Sequence, residues 1–211
     1  MPRRTQKLID ARRGEIIGAC EELYVTKGFK DITMADIAEK TTFTRTSIYN
    51  YFQTKEEIFL ALLQREYDSW ADAIDDATDC SESMSEEEIA EFLARSLEER
   101  RQMLRILSMN HYDMEAGSRI ENLTDFKRSY GRTLDSVGSM LRKFCRGFSD
   151  EDISRFVYSF FPFLYGLCPY TEVTPKQEEA MEAAGVGFVR HTVYDLAYGA
   201  ALGLLTADRR R

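Results

Sequence analysis

The segment from Arg45 to Phe52 carries side chains that are suited to binding nucleic acid. It reads Arg-Thr-Ser-Ile-Tyr-Asn-Tyr-Phe, with Ile48 as its core position, Phe52 four residues later and no acidic residue. Ser, Thr and Tyr hydroxyls bind phosphate oxygens, whereas Arg and Asn can make paired hydrogen bonds to base edges. A surface helix with a purely structural role would more often carry Glu and Lys in i,i+4 pairs. The segment therefore favours a helix that contacts DNA.

Two short helices must position these side chains. Thr33 and Asp36 have the spacing of a capping box, which predicts a helix over 34–40. Thr44 can cap a second helix from Arg45 to about Tyr51. Four residues separate the pair, which gives it the size of a helix-turn-helix. An ordinary αα-hairpin would have the same spacing, so spacing alone leaves both open.

The rest of the chain also reads as helix, and no segment has convincing period-2 alternation. We predict an all-α fold of about nine helices. The further boundaries are a first helix ending at Gly28 as a left-handed C-cap, a long helix from Thr54 with Glu57 as capping partner, one helix over 85–107, a loop over 115–122, one helix over 126–148, one from Ser149 that Pro162 should kink, a short helix after Thr174-Pro175, and a last helix from about Phe188 to Leu205.

The N-terminal sequence resembles the DNA-binding domain of TetR-family transcriptional regulators over about residues 10–65. The resemblance rests on Phe29-Lys-Asp-Ile-Thr-Met-Ala-Asp-Ile-Ala-Glu, on Thr44-Arg-Thr-Ser-Ile-Tyr-Asn-Tyr-Phe, and on Thr54-Lys-Glu-Glu-Ile-Phe. It implies a helix-turn-helix domain over 1–53 and a regulatory and dimerisation domain over 54–211, connected by the helix that begins at Thr54.

The resemblance also implies roles for individual residues in double-stranded DNA binding. Arg45 and Thr46 would face bases, Asn50 would face bases or phosphates, and Lys55 would contact the backbone. The full set of expected DNA contacts is Thr33, Thr44, Arg45, Thr46, Ser47, Tyr49, Asn50, Tyr51 and Lys55. Arg3, Arg4 and Lys7 would form either an arm on the DNA or a solubilising tail.

The turn between the two helices departs from the family pattern. The family usually has Ala-Gly-Val there, with Gly in the left-handed region, and this chain has Thr41-Thr42-Phe43. A non-Gly residue in that conformation costs about 1 kcal/mol or more. We therefore expect a differently shaped turn, with Phe43 filling more of the small core and tilting the second helix.

The C-terminal part reads as a dimerising, ligand-binding region. The last helix is rich in small residues, and the resemblance implies a four-helix bundle between two subunits. Burial inside one subunit is the alternative. The expected interface residues are Phe188, Val193, Leu196, Ala197, Ala200, Gly203 and Leu204.

Aromatic residues concentrate in the same region. Residues 111–170 hold 12 of the chain's 25 aromatics, which suggests an apolar pocket for an apolar or aromatic small molecule beside an ordinary core. Candidate pocket residues are Met103, Tyr130, Phe160, Phe163 and Tyr165.

Composition excludes several other classes. The longest strongly apolar stretch is the 13 residues from Phe156 to Cys168, too short for a membrane span. No apolar segment follows the basic N-terminus, so we expect no signal peptide. Four scattered cysteines then read as reduced thiols, and the expected location is the cytoplasm. His111 and His191 lack a third ligand or a nucleophile at recognisable spacing, and we expect neither an enzyme nor a cofactor or metal.

The net charge of −8 at first argues against DNA binding. Residues 1–66, however, contain 11 basic and 10 acidic residues, so the acidity belongs to the remainder. The sequence thus predicts a homodimeric regulator, a repressor that a small-molecule effector releases from a palindromic operator. The alternative is a DNA-bound scaffold whose C-terminal domain binds a partner protein.

Overall fold

The computed structural model describes residues 3–207, without the side chains of residues 3–5 and 109–111. It contains ten α-helices and a 3₁₀ helix over Phe29–Asp31, and the described residues form no strand. The α-helices are α1 Arg3–Thr26, α2 Met34–Glu39, α3 Arg45–Ile48, α4 Lys55–Cys80, α5 Glu86–Glu98, α6 Arg101–Ala116, α7 Ile120–Phe144, α8 Asp150–Thr171, α9 Pro175–Ala183 and α10 Val193–Thr206. The all-α prediction is confirmed, and the expected side-chain caps form at Thr33, Ser85, Ser149 and Thr174.

The predicted count of about nine helices was wrong, because eleven helices form. One addition is the 3₁₀ helix, and the other comes from a break in the helix predicted over 85–107. At that break the Arg100 N–H donates to Leu97 O at 3.0 Å, and the Arg100 guanidinium donates to Ser96 O at 2.8 Å. The apolar spacing continues across the break, so periodicity alone could not reveal it.

Several predicted helix ends also move. Gly28 has φ −74°, so it is not a left-handed cap. In the described part of the chain only Gly185, after α9, has a positive φ. The last helix begins at Val193 instead of Phe188, because the capping box of Thr192 and Asp195 sets its start. The helix predicted over 126–148 begins at Ile120 and ends at Phe144, while α8 continues through Pro162 and Pro169.

The chain divides into two compact units. The first combines Met1–Asp68 with Asn110–Gly131, and the second combines Ser69–Met109 with Arg132–Arg211. The predicted boundary between residues 53 and 54 therefore falls inside the first unit.

Each unit has its own core. In the first, Tyr24 and Phe59 are fully buried and meet edge to face, with ring centroids 5.1 Å apart. In the second, Trp70 is fully buried beside Phe161, and the Trp70 indole N–H donates to Ser96 Oγ at 2.9 Å. The aromatic side chains thus serve as core in both units.

Candidate nucleic-acid interface and regulatory region

The segment that carries the expected DNA contacts is shorter as an α-helix than predicted. Helix α3 covers only Arg45–Ile48, and Thr44 caps it by accepting a hydrogen bond from Ser47 N–H at 3.3 Å. The next residues form a tighter i→i−3 turn, in which Tyr51 N–H donates to Ile48 O at 2.8 Å. The predicted end at Tyr51 therefore includes this turn.

The structure brings the base-reading candidates to one exposed surface. Arg45, Thr46, Tyr49 and Asn50 are all exposed, whereas Ile48 is fully buried and anchors the helix. The Arg45 guanidinium donates to Tyr49 Oη at 3.3 Å and lies 5.9 Å from the centroid of that ring. The exposed set offers hydrogen-bond donors without an acidic side chain, which suits a groove lined by phosphates.

Helix α1 holds the end of this segment. The Arg13 guanidinium donates to Tyr51 O at 3.3 Å and lies 4.3 Å from the centroid of the buried Phe52 ring. The neighbouring Arg12 donates to Tyr51 Oη at 3.0 Å. Tyr51, predicted to hold a phosphate, is half-buried and is fixed by its backbone and its hydroxyl.

The turn between α2 and α3 avoids the left-handed strain that the sequence suggested. No described non-glycine residue has a positive φ. Thr42 N–H and Thr42 Oγ1–H both donate to Glu15 Oε1 of α1, at 2.7 and 2.8 Å. These two hydrogen bonds also hold the pKa of Glu15 below its ordinary value.

The expectation that Phe43 fills the small core was wrong. Phe43 is half-buried. The centroid of its ring lies 6.3 Å from the centroid of the Tyr51 ring and 5.7 Å from Cζ of the Arg12 guanidinium. Phe43 therefore lies at the surface, in contact with α1 and with the recognition segment, Arg45–Phe52.

Thr33 forms the expected capping box with Asp36, whereas the pairing of Asp36 with Lys27 and the partners of Lys55 were not predicted. Thr33 Oγ1 donates to Asp36 Oδ2 and accepts from Asp36 N–H, while Lys27 Nζ lies 2.7 Å from Asp36 Oδ1. Lys27 and then Thr33 hold the pKa of Asp36 well below its ordinary range. Lys55 Nζ donates to Phe29 O at 2.7 Å and to Ile32 O at 3.1 Å. Lys55 thus ties the start of α4 to the chain ahead of α2.

A buried ion pair joins the start of α4 to the loop between α6 and α7. The Glu57 side chain is 1% exposed and accepts from Gln53 N–H and from the Arg119 guanidinium, at 2.8 and 2.6 Å for the closest contacts. Burial raises the pKa of Glu57, but the hydrogen bonds from Arg119 and Gln53 outweigh it and leave that pKa lowered. Glu57 reaches past Thr54, so the capping box expected between these two residues is only half formed.

Gly117 lets that loop approach α4 closely. A Cβ added at Gly117 would lie 2.7 Å from Glu56 Cγ, and Gly117 O accepts from Thr54 Oγ1 at 3.0 Å. Only glycine fits this approach without a shift, because real Cβ contacts are essentially never that short. The signal in the sequence was the single Gly in a predicted loop, which gave no hint of its neighbour.

Four of the five candidate pocket residues belong to the second unit and one to the first. Met103 and Phe160 are fully buried, and Phe163 stacks on Phe160 with centroids 6.2 Å apart, while Tyr165 is half-buried. Tyr130 belongs to the other unit and contacts Tyr67, with centroids 5.5 Å apart.

The clefts on the second unit include three that are lined by none of these five residues. One of them, about 510 Å³, is lined by residues that include Met84, Phe144, Arg146, Phe148 and Leu205. Two smaller clefts of about 290 and 330 Å³ share Tyr170, Val173 and Phe188. The position of the effector site therefore stays a prediction.

Helix α10 has two different faces. Val193 and Ala197, expected at a dimer interface, are buried with Ala201 and Leu205 inside their own subunit, where α10 packs on α5 and α8. Those two expectations are corrected, since a residue in its own subunit's core cannot also face a partner. The other expected interface residues are half-buried or exposed: Phe188, Leu196, Ala200, Gly203 and Leu204.

Asp195 and two of the cysteines are side chains whose types could support catalysis. The helix expected to carry both His191 and Asp195 begins after His191, and Asp195 accepts from Thr192 N–H at 2.9 Å as part of the α10 cap. Burial raises the pKa of the Cys20 thiol to about 12 and that of the Cys168 thiol to about 11, which leaves both thiols protonated at neutral pH. Among the residues described, no group of three or more His, Cys, Asp or Glu could hold a metal ion. The side chains of Arg3, Arg4 and His111 lie outside the description.

The helices of the described chain include none that is both long and apolar enough to cross a membrane. Fold and site together define a helical protein with an N-terminal helix-turn-helix. A family profile for bacterial regulatory proteins of the tetR family matches residues 16–62, and one described as the tetracyclin repressor-like C-terminal domain matches residues 64–206. The second match covers more than half of the chain, so the chain belongs to the TetR family of transcriptional regulators.

Curated relatives match over the N-terminal region. The chain is 35% identical over 63 residues to the uncharacterized HTH-type transcriptional regulator YfiR of Bacillus subtilis, and 38% identical over 86 residues to the HTH-type transcriptional regulator TtgR of Pseudomonas putida. These alignments cover 30% and 41% of this chain but only 31% and 39% of the relatives.

Solved structures match over nearly the whole length. A possible TetR-family transcriptional regulator from Streptomyces coelicolor has a TM-score of 0.62 and 22% identity, covering 94% of this chain and 98% of that one. At that identity the likeness establishes the shared fold. The two profile matches, which cover residues 16–62 and 64–206, confirm the sequence-based identification of the family.

Proposed function

We propose that the protein is a cytoplasmic, homodimeric repressor that binds a palindromic operator. The observation that carries this proposal is the exposed set Arg45, Thr46, Tyr49 and Asn50, which lies on a short helix anchored by Ile48 and held by α1. One such helix makes few base contacts. Two recognition helices about 34–36 Å apart read two half-sites in successive major grooves.

The exposed face of α10 supports dimerisation. Leu196, Ala200 and Leu204 are half-buried and Gly203 is exposed, beside the stripe of α10 that is buried inside the subunit. Small residues let two helix backbones approach closely, which suits a helix–helix interface. A dimer formed through this helix would bring two DNA-binding domains into one molecule.

We further propose that an apolar or aromatic small molecule releases the DNA. The aromatic side chains of the second unit, with Phe160 and Phe163 stacked, support this class of ligand. Release would be a population shift, because a ligand can favour one arrangement only by binding it more tightly than the other.

Selection from random double-stranded DNA tests the operator proposal. The full-length protein should enrich a palindrome whose half-sites are about one helical turn apart. Footprinting should then show protection of both half-sites, and a reporter placed behind the operator should be silenced. Absence of any enriched sequence would contradict specific DNA binding, and enhanced reporter expression would reverse the sign of regulation.

The scaffold alternative rests on exposed apolar side chains of the second unit. Tyr158, Tyr170 and Val189 are each about two-thirds exposed or more, at 69%, 71% and 68%. A contiguous patch of such residues would mark a protein interface. A thermal-shift screen of aromatic and aliphatic compounds separates the readings: a compound that raises the melting temperature and releases DNA supports the effector, and co-purification of a bound protein without any such compound supports the scaffold.

A further inference from the structure

Helix α3 cannot hold its own orientation. It has four residues, and only Ile48 among them is buried. An isolated helix of this length has no stability in water, so its position depends on tertiary contacts. The contacts on either side of α3 therefore decide where Arg45 and Thr46 point.

Two residues of α1, one turn apart, bind the chain on both sides of α3. Glu15 Oε1 accepts both hydrogen bonds from Thr42, two residues before the N-cap Thr44. Arg12 donates to Tyr51 Oη, three residues after the end of α3, and lies over the ring of Phe43. Arg12 and Glu15 are three residues apart in a helix and therefore project from the same face.

The Glu15 contact is an unusual one for a surface carboxylate. It joins residues that are 27 positions apart in the sequence. It also gives a hydrogen-bond acceptor to the Thr42 N–H, which has no backbone acceptor within the turn. Both bonds are charge-assisted and short, which makes them stronger and more directional than neutral ones. By comparison, Glu22 of α1 forms a looser ion pair with Lys40 at the end of α2. In that pair Glu22 Oε2 and Lys40 Nζ are 3.8 Å apart.

We propose that Glu15 is a positioning residue for operator recognition, fixing the turn before α3 so that Arg45 and Thr46 meet the correct base pair. The proposal rests on the operator binding proposed above. Glu15 itself touches no DNA in this mechanism. Its loss leaves the phosphate contacts available and lets the recognition segment adopt several orientations, so discrimination falls while non-specific binding persists.

The test compares Glu15→Ala with Glu15→Gln and with the matched control Glu22→Ala. All three substitutions remove one acidic charge from α1, so electrostatic gains in DNA affinity should be equal. Only Glu15→Ala removes the acceptor for Thr42, because the amide oxygen of Gln can still accept both hydrogen bonds. Affinities for the selected operator and for a scrambled duplex are measured by fluorescence anisotropy at one salt concentration.

We expect Glu15→Ala to lower the ratio of operator affinity to scrambled-duplex affinity by about tenfold, the equivalent of one net hydrogen bond. Glu15→Gln and Glu22→Ala should stay within about twofold of the wild-type ratio, a difference well below that of one hydrogen bond. Thr42→Val, which removes the hydroxyl donor and keeps the backbone N–H, should give an intermediate loss. Melting temperatures by circular dichroism accompany each variant.

Several results overturn the proposal. A wild-type ratio in Glu15→Ala does so, as does an equal loss in Glu15→Ala and Glu15→Gln. A parallel fall in both affinities and in melting temperature would show a merely structural role. If the wild-type protein itself does not discriminate the operator, the proposed function fails first, and that outcome is visible before any variant is made.

Discussion

At the scale of single residues, Arg45 is the side chain on which we expect the choice of DNA base to depend most. It stands at the first position of α3, exposed, with a weak contact to Tyr49 that bound DNA can replace. An arginine at this position can make two hydrogen bonds to the major-groove edge of guanine. Contacts from neighbouring side chains to the DNA phosphates carry no sequence information.

Arg45→Ala should therefore relax specificity more than it weakens non-specific binding. We expect a loss of about 1–3 kcal/mol in operator binding, confined to one base position in each half-site. The measurement is a competition series with singly substituted operators. Lys30→Ala removes the same charge from an exposed position outside α3, and it should leave base preferences unchanged. Identical base preferences in Arg45→Ala and the wild type would disprove the assignment.

The Glu57–Arg119 pair gives a prediction for stability. Arg119→Ala leaves a carboxylate that is 1% exposed without its main partner. Because the Arg119 side chain itself is 42% exposed, we expect the free energy of unfolding at pH 7 to fall by about 2 kcal/mol, below the range for a fully buried pair. Urea denaturation of both proteins measures the difference.

The same pair predicts how that difference depends on pH. In the wild type the pKa of Glu57 is lowered, so its contribution is present above the ordinary glutamate pKa and is lost as pH falls through the folded value. Arg119→Ala removes the largest of the contacts that lower this pKa, so the pKa of Glu57 should be higher in the variant than in the wild type, and acid should destabilise the variant less. The gap between the two proteins should therefore narrow from pH 7 to pH 4. A gap that is constant over this range would show that the Glu57 charge is not involved.

At the scale of elements, local sequence signals place helix starts well. Ser85 accepts from Glu88 N–H at 3.2 Å, while Glu88 Oε2 accepts from Ser85 N–H at 2.7 Å, and α5 begins at the next residue. The cap satisfies backbone donors that the first turn cannot pair internally. Such caps are readable from the sequence because both partners lie within one turn.

Removing this cap should cost a measurable part of the stability. We expect Ser85→Ala to lower the free energy of unfolding by about 1 kcal/mol, the usual effect of losing an N-cap side chain. Ser83→Ala, at an exposed position in the same connection, is the control and should change it by less than about 0.5 kcal/mol. Thermal unfolding of the two variants decides between them, and equal melting temperatures would mean that the cap contributes nothing.

At the scale of the whole molecule, the distribution of charge and of small residues matters more than their totals. Residues 1–66 carry nearly balanced charge, whereas the remainder is strongly acidic. Weak non-specific attraction to DNA then makes tight binding depend on two half-sites read together. In the proposed function, dimerisation is accordingly part of the recognition mechanism.

Leu204→Glu should separate the subunits without unfolding them. Leu204 is half-buried on α10, beside the stripe of buried residues that includes Ala201 and Leu205. A Glu side chain there can still reach water in an isolated subunit, whereas a dimer contact would bury its charge. Sedimentation velocity should show a shift toward monomer, with unchanged helical content and a loss of operator binding. Ser83→Glu adds the same charge at an exposed site outside α10 and should remain dimeric. A dimeric Leu204→Glu protein would place the interface elsewhere.

The amino-acid sequence by itself determined the all-helical class, the helix-turn-helix, the family and most helix starts. Each depends on periodicity, caps or motif spacing, which involve residues within a few turns of one another. Only the tertiary structure decided that Glu15 holds Thr42, that Lys55 binds the Phe29 and Ile32 carbonyls, that Glu57 pairs with Arg119, and which face of α10 is buried. These contacts join residues 23 to 62 positions apart. Such pairings depend on how whole helices pack, and a local pattern carries no information about that.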